Sequence, residues 1–294
     1  MPPAIKASRT DPGQGVIVFG EVLFDVFPDG RKVIGGAPFN VSVHLAAMGL
    51  SPVFISRVGD DELGHKVLQA MAAWSLDSSQ VSLDQEHATG TVDVIMDQGD
   101  ISYEITQDVA WDHIPKAKGA KGSLLYHGSL AARSPGSAAS LKDLAQAMPS
   151  FVDLNLRPPW FTAPQVLEMV KEARTLKLNR FELATVCDFL AIPKESLQID
   201  SKRLAEEAGV RTLLVTDGEN GACVTSSAGF QFMIPALPQK AMKDSVGAGD
   251  AFSSVCLAGE VLGWDMPRTL ARASALASAI CTIRGALPDD PEWH

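Results

Sequence analysis

Asp244-Ser245-Val246-Gly247-Ala248-Gly249-Asp250-Ala251-Phe252 is the stretch from which the fold is read. Gly247 and Gly249 admit positive φ values that other residues avoid, so successive backbone N–H groups can converge on one point outside a turn. The run from Ala248 to Leu262 is small, apolar and poor in breakers. It predicts a helix whose N-terminal dipole favours an anion at that same point. Asp250 then stands beside the anion. A carboxylate repels phosphate, yet it can take the proton of a hydroxyl that attacks phosphate. Two readings follow: a phosphoryl-transfer turn, or a glycine turn with an acidic residue in the first turn of a helix.

Working outward, short apolar runs alternate with helical patterns. Val16–Phe19, Val53–Ser56, Leu124–Tyr126, Phe151–Leu154, Leu176–Leu178 and Leu213–Thr216 read as buried strands of a mostly parallel sheet. Helices are predicted after Gly36, from Leu63 to Trp74, near Ala138 to Met148 and from Arg268 to Ile283. Val224 and its flanks read as an antiparallel edge. The period changes to alternation from Thr91 to Thr106, with Val92, Val94 and Met96 against Asp93 and Ile95, then a turn at Asp97-Gln98-Gly99-Asp100 and Ile101, Tyr103 and Ile105. A β hairpin set into an α/β chain reads as a lid, an oligomer contact or a plain edge.

Polar residues gather at the predicted strand ends. Glu21 and Asp25 follow the first strand, and a carboxylate such as Asp25 accepts hydrogen bonds from sugar hydroxyls. Gly35-Gly36-Ala37-Pro38-Phe39-Asn40 leads two glycines into a helix, with the amide of Asn40 in its first turn. Arg157, in Asp153-Leu154-Asn155-Leu156-Arg157, could clamp a phosphoryl group by paired hydrogen bonds or form a surface ion pair. Asn179 and Glu182, in Asn179-Arg180-Phe181-Glu182, fit either a capping box or a pair that organises Mg²⁺.

Acidic residues number 35 against 25 basic, a net charge of -10, which argues against a nucleic-acid or anionic-membrane surface as partner. An anionic ligand such as ATP would therefore depend on local dipoles, a few cations and Mg²⁺. Cys187, Cys223, Cys256 and Cys281 are widely separated and signal neither zinc nor disulfides. The segment up to Gly15 is rich in Pro, Gly and polar residues and lacks an apolar core of signal-peptide length, and no run approaches a membrane span. A cytoplasmic chain is expected.

Gly35 to Asn40 and Asp244 to Asp250 together resemble the two signatures of the ribokinase-like sugar kinases, the phosphofructokinase-B family. Gly59–Gly64, Asp153–Arg157, Asn179 with Glu182, Thr216–Gly221 and Gly285-Ala286 resemble that family's intermediate motifs in order. Phe39–Gly49, the hairpin ending at Trp111, and Asp153–Trp160 are most similar to its fructokinase-like branch.

The resemblance implies one three-layer α/β domain over residues 1–294, with a mostly parallel Rossmann-like sheet and a small β-sheet lid built from about 21–35 and 89–111. It implies an ATP-dependent kinase acting on a primary hydroxyl of a small sugar, fructose foremost, with Mg²⁺, and a monovalent cation such as K⁺ near the Asp244 loop. Asp250 would be the catalytic base, and the backbone of Gly247, Ala248, Gly249 and Asp250 the anion hole. Asp25, Gly35, Gly36, Asn40 and Arg157 would contact sugar or phosphoryl group; Asn179 and Glu182 would organise the metal. Asn179, Thr216, Gly218, Gly221, Gly247, Gly249 and Ser274 would line the nucleotide. Ser245 stands where threonine is usual, and Ser274 where fructokinase-like members often carry an asparagine near the adenine. Ribose, a 2-keto-3-deoxy sugar acid or a nucleoside are the alternative acceptors, and a sugar-sensing protein without turnover is the alternative class. An exposed lid hairpin also makes a homodimer through the lid an expectation.

Overall fold

The computed structural model describes residues 15–97, 100–237, 242–288, 290 and 293. The turn residues Gln98 and Gly99, and the segment before Gly15, lie outside them. A nine-stranded sheet forms the body, in the order β13-β12-β11-β10-β9-β8-β1-β4-β5. Its parallel strands are β1 (Val16–Phe19), β4 (Val53–Gly59), β5 (Val81–Asp84), β8 (Leu124–His127), β9 (Ser150–Asp153), β10 (Ala173–Asn179) and β11 (Thr212–Thr216). The antiparallel strands β12 (Ala222–Ser226) and β13 (Gln231–Ile234) finish one edge.

Both faces of this sheet are covered, which is why its strands are apolar in consecutive positions. Val16 and Val18 of β1 pack with Val43 of α1 (Ala37–Ala47), Val67 of α2 (Glu62–Ala73), Phe252 of α7 (Ala248–Leu262) and Leu270 of α8 (Met266–Ile280). Ile17 and Phe19 point the other way, into a cluster with Leu141 and Leu144 of α3 (Pro135–Ala147). Val152, Leu176, Leu178, Leu213 and Val215 pack on Val166 of α4 (Ala163–Glu172), Leu183 of α5 (Arg180–Phe189) and Leu204 of α6 (Leu197–Ala208). The three-layer α/β fold expected from the alternation is the fold observed.

Some boundaries move. The last helix starts at Met266, where Asp265 caps it by accepting from the Arg268 N–H, and it stops at Ile280, short of Ile283. Strand β10 begins at Ala173, directly after α4, so its first residues carry no turn signal of their own. Asp61 caps α2 by accepting from the Gly64 N–H, and also takes the N–H and hydroxyl of Thr89.

A second, four-stranded sheet has the order β3-β2-β6-β7, from β2 (Leu23–Val26), β3 (Lys32–Gly35), β6 (Gly90–Asp97) and β7 (Asp100–Ile105). Register sets its faces: Asp25 pairs with Val33 and Val92, Val92 with Ile105, and Val94 with Tyr103, so these six side chains share one face. Val92 and Ile105 join the core cluster of Leu23, Phe19 and Trp111, which seats that face on the body.

Candidate active site

The glycine turn and α7 behave as the sequence predicts, with one correction. Gly247 is the N-cap residue at φ 78, in the left-handed region. A side chain there would also meet Ala286, whose Cα and Cβ lie 2.5 Å from where a Cβ would stand. Gly249, expected to share the positive φ, is instead a residue of α7 itself. Its lack of a side chain serves proximity: a Cβ would sit 3.3 Å from the buried Lys177 ammonium. No side chain caps α7, so the Gly249 and Asp250 N–H groups, in its first turn, have no intrahelical acceptor. They form a ready anion site.

Asp250 occupies that first turn and is fixed from the neighbouring helix α1. The Asn40 side-chain N–H₂ donates to its Oδ2 at 2.8 Å. Burial pushes the Asp250 carboxyl up to about 6, helped by the Asp153 charge and opposed by the Asn40 hydrogen bond and by Lys177 and Arg157. Asn40 is itself buried, and its Oδ1 has no protein partner among the described residues. An acceptor so placed fits a ligand hydroxyl. Gly36 carries φ 104 as the N-cap of α1, and a Cβ there would be 2.7 Å from the Glu21 carbonyl oxygen, so the strand end and the helix start touch only because the residue is glycine.

Glu21 was noted in the sequence only as an acid at a strand end, yet it is a buried member of this site. It is 3% exposed, its Oε2 has no protein partner among the described residues, and burial raises its pKa to about 7. Arg157 and Asp250 act on Glu21 with opposite sign, and burial with opposition from Arg157 raises Asp25. Arg157 thus acts on three carboxylates at once; the residue is exposed, and among the described residues its side chain donates to the carbonyl of the preceding Leu156, at 3.2 Å. The surface ion pair expected as its alternative is not among the ion pairs of the described residues.

Beneath α7 lies a feature that sequence reasoning missed. Lys177 donates to both oxygens of Asp153 at 2.9 Å, and the Ser253 hydroxyl donates to the Asp153 Oδ2 at 2.7 Å. Both charged side chains are under a tenth exposed. They face α7 because each alternates with residues packed on the opposite helices: Val152 and Leu154 flank Asp153, and Leu176 and Leu178 flank Lys177.

Asn179 and Glu182 adopt the capping box. The Asn179 Oδ1 accepts from the Phe181 and Glu182 N–H groups, while the Glu182 oxygens accept from Leu156 and Asn179 N–H at 2.8 Å. With the Glu182 carboxylate buried and both oxygens engaged, the pair does not fit direct Mg²⁺ ligation. Thr216 ends β11, and Gly218 and Gly221 follow at φ 54 and φ 91. Gly221 packs tightly against the Ile234 carbonyl, whereas Gly218 faces open space. Ser274 is half-buried on α8. The Asp244 carboxylate ties its loop together, accepting from the Val246 and Gly285 N–H groups at 3.1 Å.

An uncapped helix N-terminus beside an enclosed carboxylate, at the carboxyl ends of parallel strands and under a small second sheet, defines an α/β phosphotransferase. The chain belongs to the pfkB family of carbohydrate kinases, whose profile matches residues 18–293. It is similar to fructokinase-2 of Zea mays, at 26% identity over 94% of this chain and 91% of the relative. It is also similar to the 5-dehydro-2-deoxygluconokinase of Geobacillus thermodenitrificans, at 25% identity over 85% and 78%. Among solved structures, the ATP-bound fructokinase of Xylella fastidiosa matches with TM-score 0.81 at 21% identity, over 93% of this chain and 94% of that one. The aminoimidazole riboside kinase of Salmonella enterica matches with TM-score 0.79 at 21% identity, over 95% and 97%. Among the described residues, no helix is long and apolar enough to cross a membrane.

Proposed function

We propose that this carbohydrate kinase transfers the γ-phosphoryl group of ATP to a primary hydroxyl of a small neutral sugar, fructose in the first instance. The observation that carries the reading is the carboxylate of Asp250, held by Asn40 at the open N-terminus of α7. With a pKa near 6 it is ionised at neutral pH yet basic enough to accept the proton of an attacking hydroxyl. The unpartnered oxygens of Asn40 and Glu21, with Asp25, receive the remaining sugar hydroxyls. Arg157 and the first-turn amides of α7 take the charge that develops on the phosphoryl group.

Mg²⁺, when bound with the nucleotide, supplies charge neutralisation on the β- and γ-phosphates. Asn179 and Glu182 contribute by holding the α5 start in shape, and Thr216 to Gly221 with Ser274 line the nucleotide side. The four-stranded sheet acts as the lid of a single domain, its Asp25 face closing over the sugar. A neutral sugar is preferred over a sugar acid for a reason of register. Lys32, a cation of the small sheet, pairs with Val26 and lies on the face opposite Asp25.

The test is a panel of fructose, ribose, 5-dehydro-2-deoxygluconate and a purine nucleoside with Mg·ATP, compared by kcat/KM through coupled ADP release. Fructose leading the panel supports the reading. A sugar acid or a nucleoside leading would replace the acceptor, and no ADP release with any of them would favour a sensing protein.

A further inference from the structure

We propose that His87, Asp108 and His113 form a binding site for one divalent transition-metal ion of the zinc type, at the base of the four-stranded sheet. His87 lies on the connection that enters β6, and Asp108 and His113 on the one that leaves β7. A ligand atom from each falls within 4.8 Å of the other two. The Asp108 Oδ1 is 2.9 Å from the His113 Nε2 and 3.7 Å from the His87 Nε2. Nothing in the kinase chemistry uses these residues, and the inference stands whether or not the sugar assignment does.

What distinguishes the cluster from a chance surface group is the support behind it. Asp84 is 1% exposed and its Oδ2 lies 2.9 Å from the His87 Nδ1. Asp84 also accepts from the Glu86 and His87 N–H groups at 2.9 and 3.1 Å, which fixes its carboxylate in place. With Asp84 accepting the Nδ1–H of His87, the Nε2 lone pair of that ring faces Asp108. This is the carboxylate–histidine arrangement that orients and strengthens a metal-binding imidazole. Arg57 braces the other side as well: its Nε pairs with Asp84 at 2.9 Å and its Nη1 donates to the His113 carbonyl at 2.9 Å. Asp108 has φ 54, a conformation unusual for a residue with a side chain.

Two imidazoles and one carboxylate leave a position for water and suit zinc, with Ni²⁺ and Cu²⁺ binding the same donors. Mg²⁺ prefers oxygen, so this site is chemically separate from that of the nucleotide's metal. The rings now stack at 3.8 Å with 20° between their planes, so their lone pairs run side by side. Binding requires the His113 ring to turn toward the shared point, and its side chain, 35% exposed, has room to do so. The ion takes the Nε2 lone pair of each ring, and any proton shared between His113 and Asp108 leaves to solvent. The result is a clip across both connections of the small sheet.

The full chain, stripped with a chelator and kept in excess Mg²⁺, is titrated with Zn²⁺ against a chromogenic competitor and with Co²⁺ by visible absorption. One equivalent of each is expected. Asp108→Asn, at a side chain 77% exposed and so without threat to folding, should weaken zinc at least about 10-fold. Asp84→Asn should weaken it about 10- to 100-fold without touching a ligand, which a merely adventitious surface site would not show. The paired substitution His87→Gln, His113→Gln should remove the equivalent. Absence of saturable binding, or zinc affinity unchanged in Asp108→Asn, would overturn the proposal. The four cysteines offer no ready competing site, because all are buried.

Discussion

Replacing Asp250 by Asn separates what the residue does for catalysis from what it costs the fold. The amide keeps an oxygen for the Asn40 N–H₂, which now donates to Asp250 at 2.8 Å, and it is almost isosteric. Turnover should fall by at least about 10²-fold, since the variant has no base at the attacking hydroxyl. Stability should move the other way. The folded pKa of Asp250 is raised from 3.8 to about 6, chiefly by burial. A raised carboxyl contributes stability that is full below the unfolded value and is lost as pH climbs through the folded one. At pH 8 the wild type has therefore lost it, while the uncharged variant has not. A shift of about two units at roughly 1.36 kcal/mol each gives an upper figure of about 3 kcal/mol. That shift already contains the opposing pull of Lys177 and Arg157, and relaxation of the site around the charge brings the expected gain to about 1–2 kcal/mol, or several degrees in Tm. Thermal unfolding of both proteins from pH 4 to 8, read beside kcat, is the assay. The Tm gap should be absent near pH 4 and open through pH 6. A variant that turns over normally, or one destabilised at pH 8 but not at pH 4, would refute the reasoning.

Gly247→Val should cost activity about 10²- to 10³-fold, the loss expected when an anion-hole donor is misdirected, because the side chain meets both the positive φ and Ala286; steady-state kinetics on folded protein decides it. Lys177→Met should destabilise by about 3–5 kcal/mol by leaving Asp153 charged and unpaired in the interior, and adding Asp153→Asn should restore much of that in a denaturant titration. Tyr103→Ala, on the Asp25 face of the small sheet and 59% exposed, should raise the sugar KM and the share of ATP hydrolysed without sugar phosphate while leaving ATP binding alone. An unchanged KM and product ratio would remove that face from the sugar site.

The features legible in the sequence are those that depend on neighbours along the chain. Val16–Phe19 and Leu213–Thr216 announce buried parallel strands because sheet burial on both faces demands consecutive apolar residues. Thr91 to Thr106 announces a hairpin because one face is seated and one is not, and the pairing of Val92 with Ile105 keeps the apolar positions together. Gly247 announces its turn by being glycine where φ is 78. Hidden were properties created by distant residues. Lys177 in a strand reads as solvent-facing until Asp153, 24 residues away, supplies its partner. Glu21 looks like any acid after a strand, since its raised pKa comes from burial by the assembled fold. Strands β2 and β3 escaped individual assignment because Asp25 interrupts Leu23–Val26, and Lys32 and Gly35 bound only two apolar residues, so neither shows a continuous apolar run or a sustained alternation. Asn179 and Glu182 matched two patterns equally, and only the amide of Leu156, brought in by tertiary structure, shows how fully the carboxylate is engaged.

The central claim is that Asp250 and the α7 amides move a phosphoryl group from ATP to a sugar held beneath the small sheet. The measurement closest to it counts ADP and sugar phosphate in the same reaction, with Mg·ATP and with fructose present or withheld. The account predicts one fructose phosphate for each ADP, and little ADP when the sugar is left out. ADP release that ignores the sugar, or none with any sugar supplied, would contradict it.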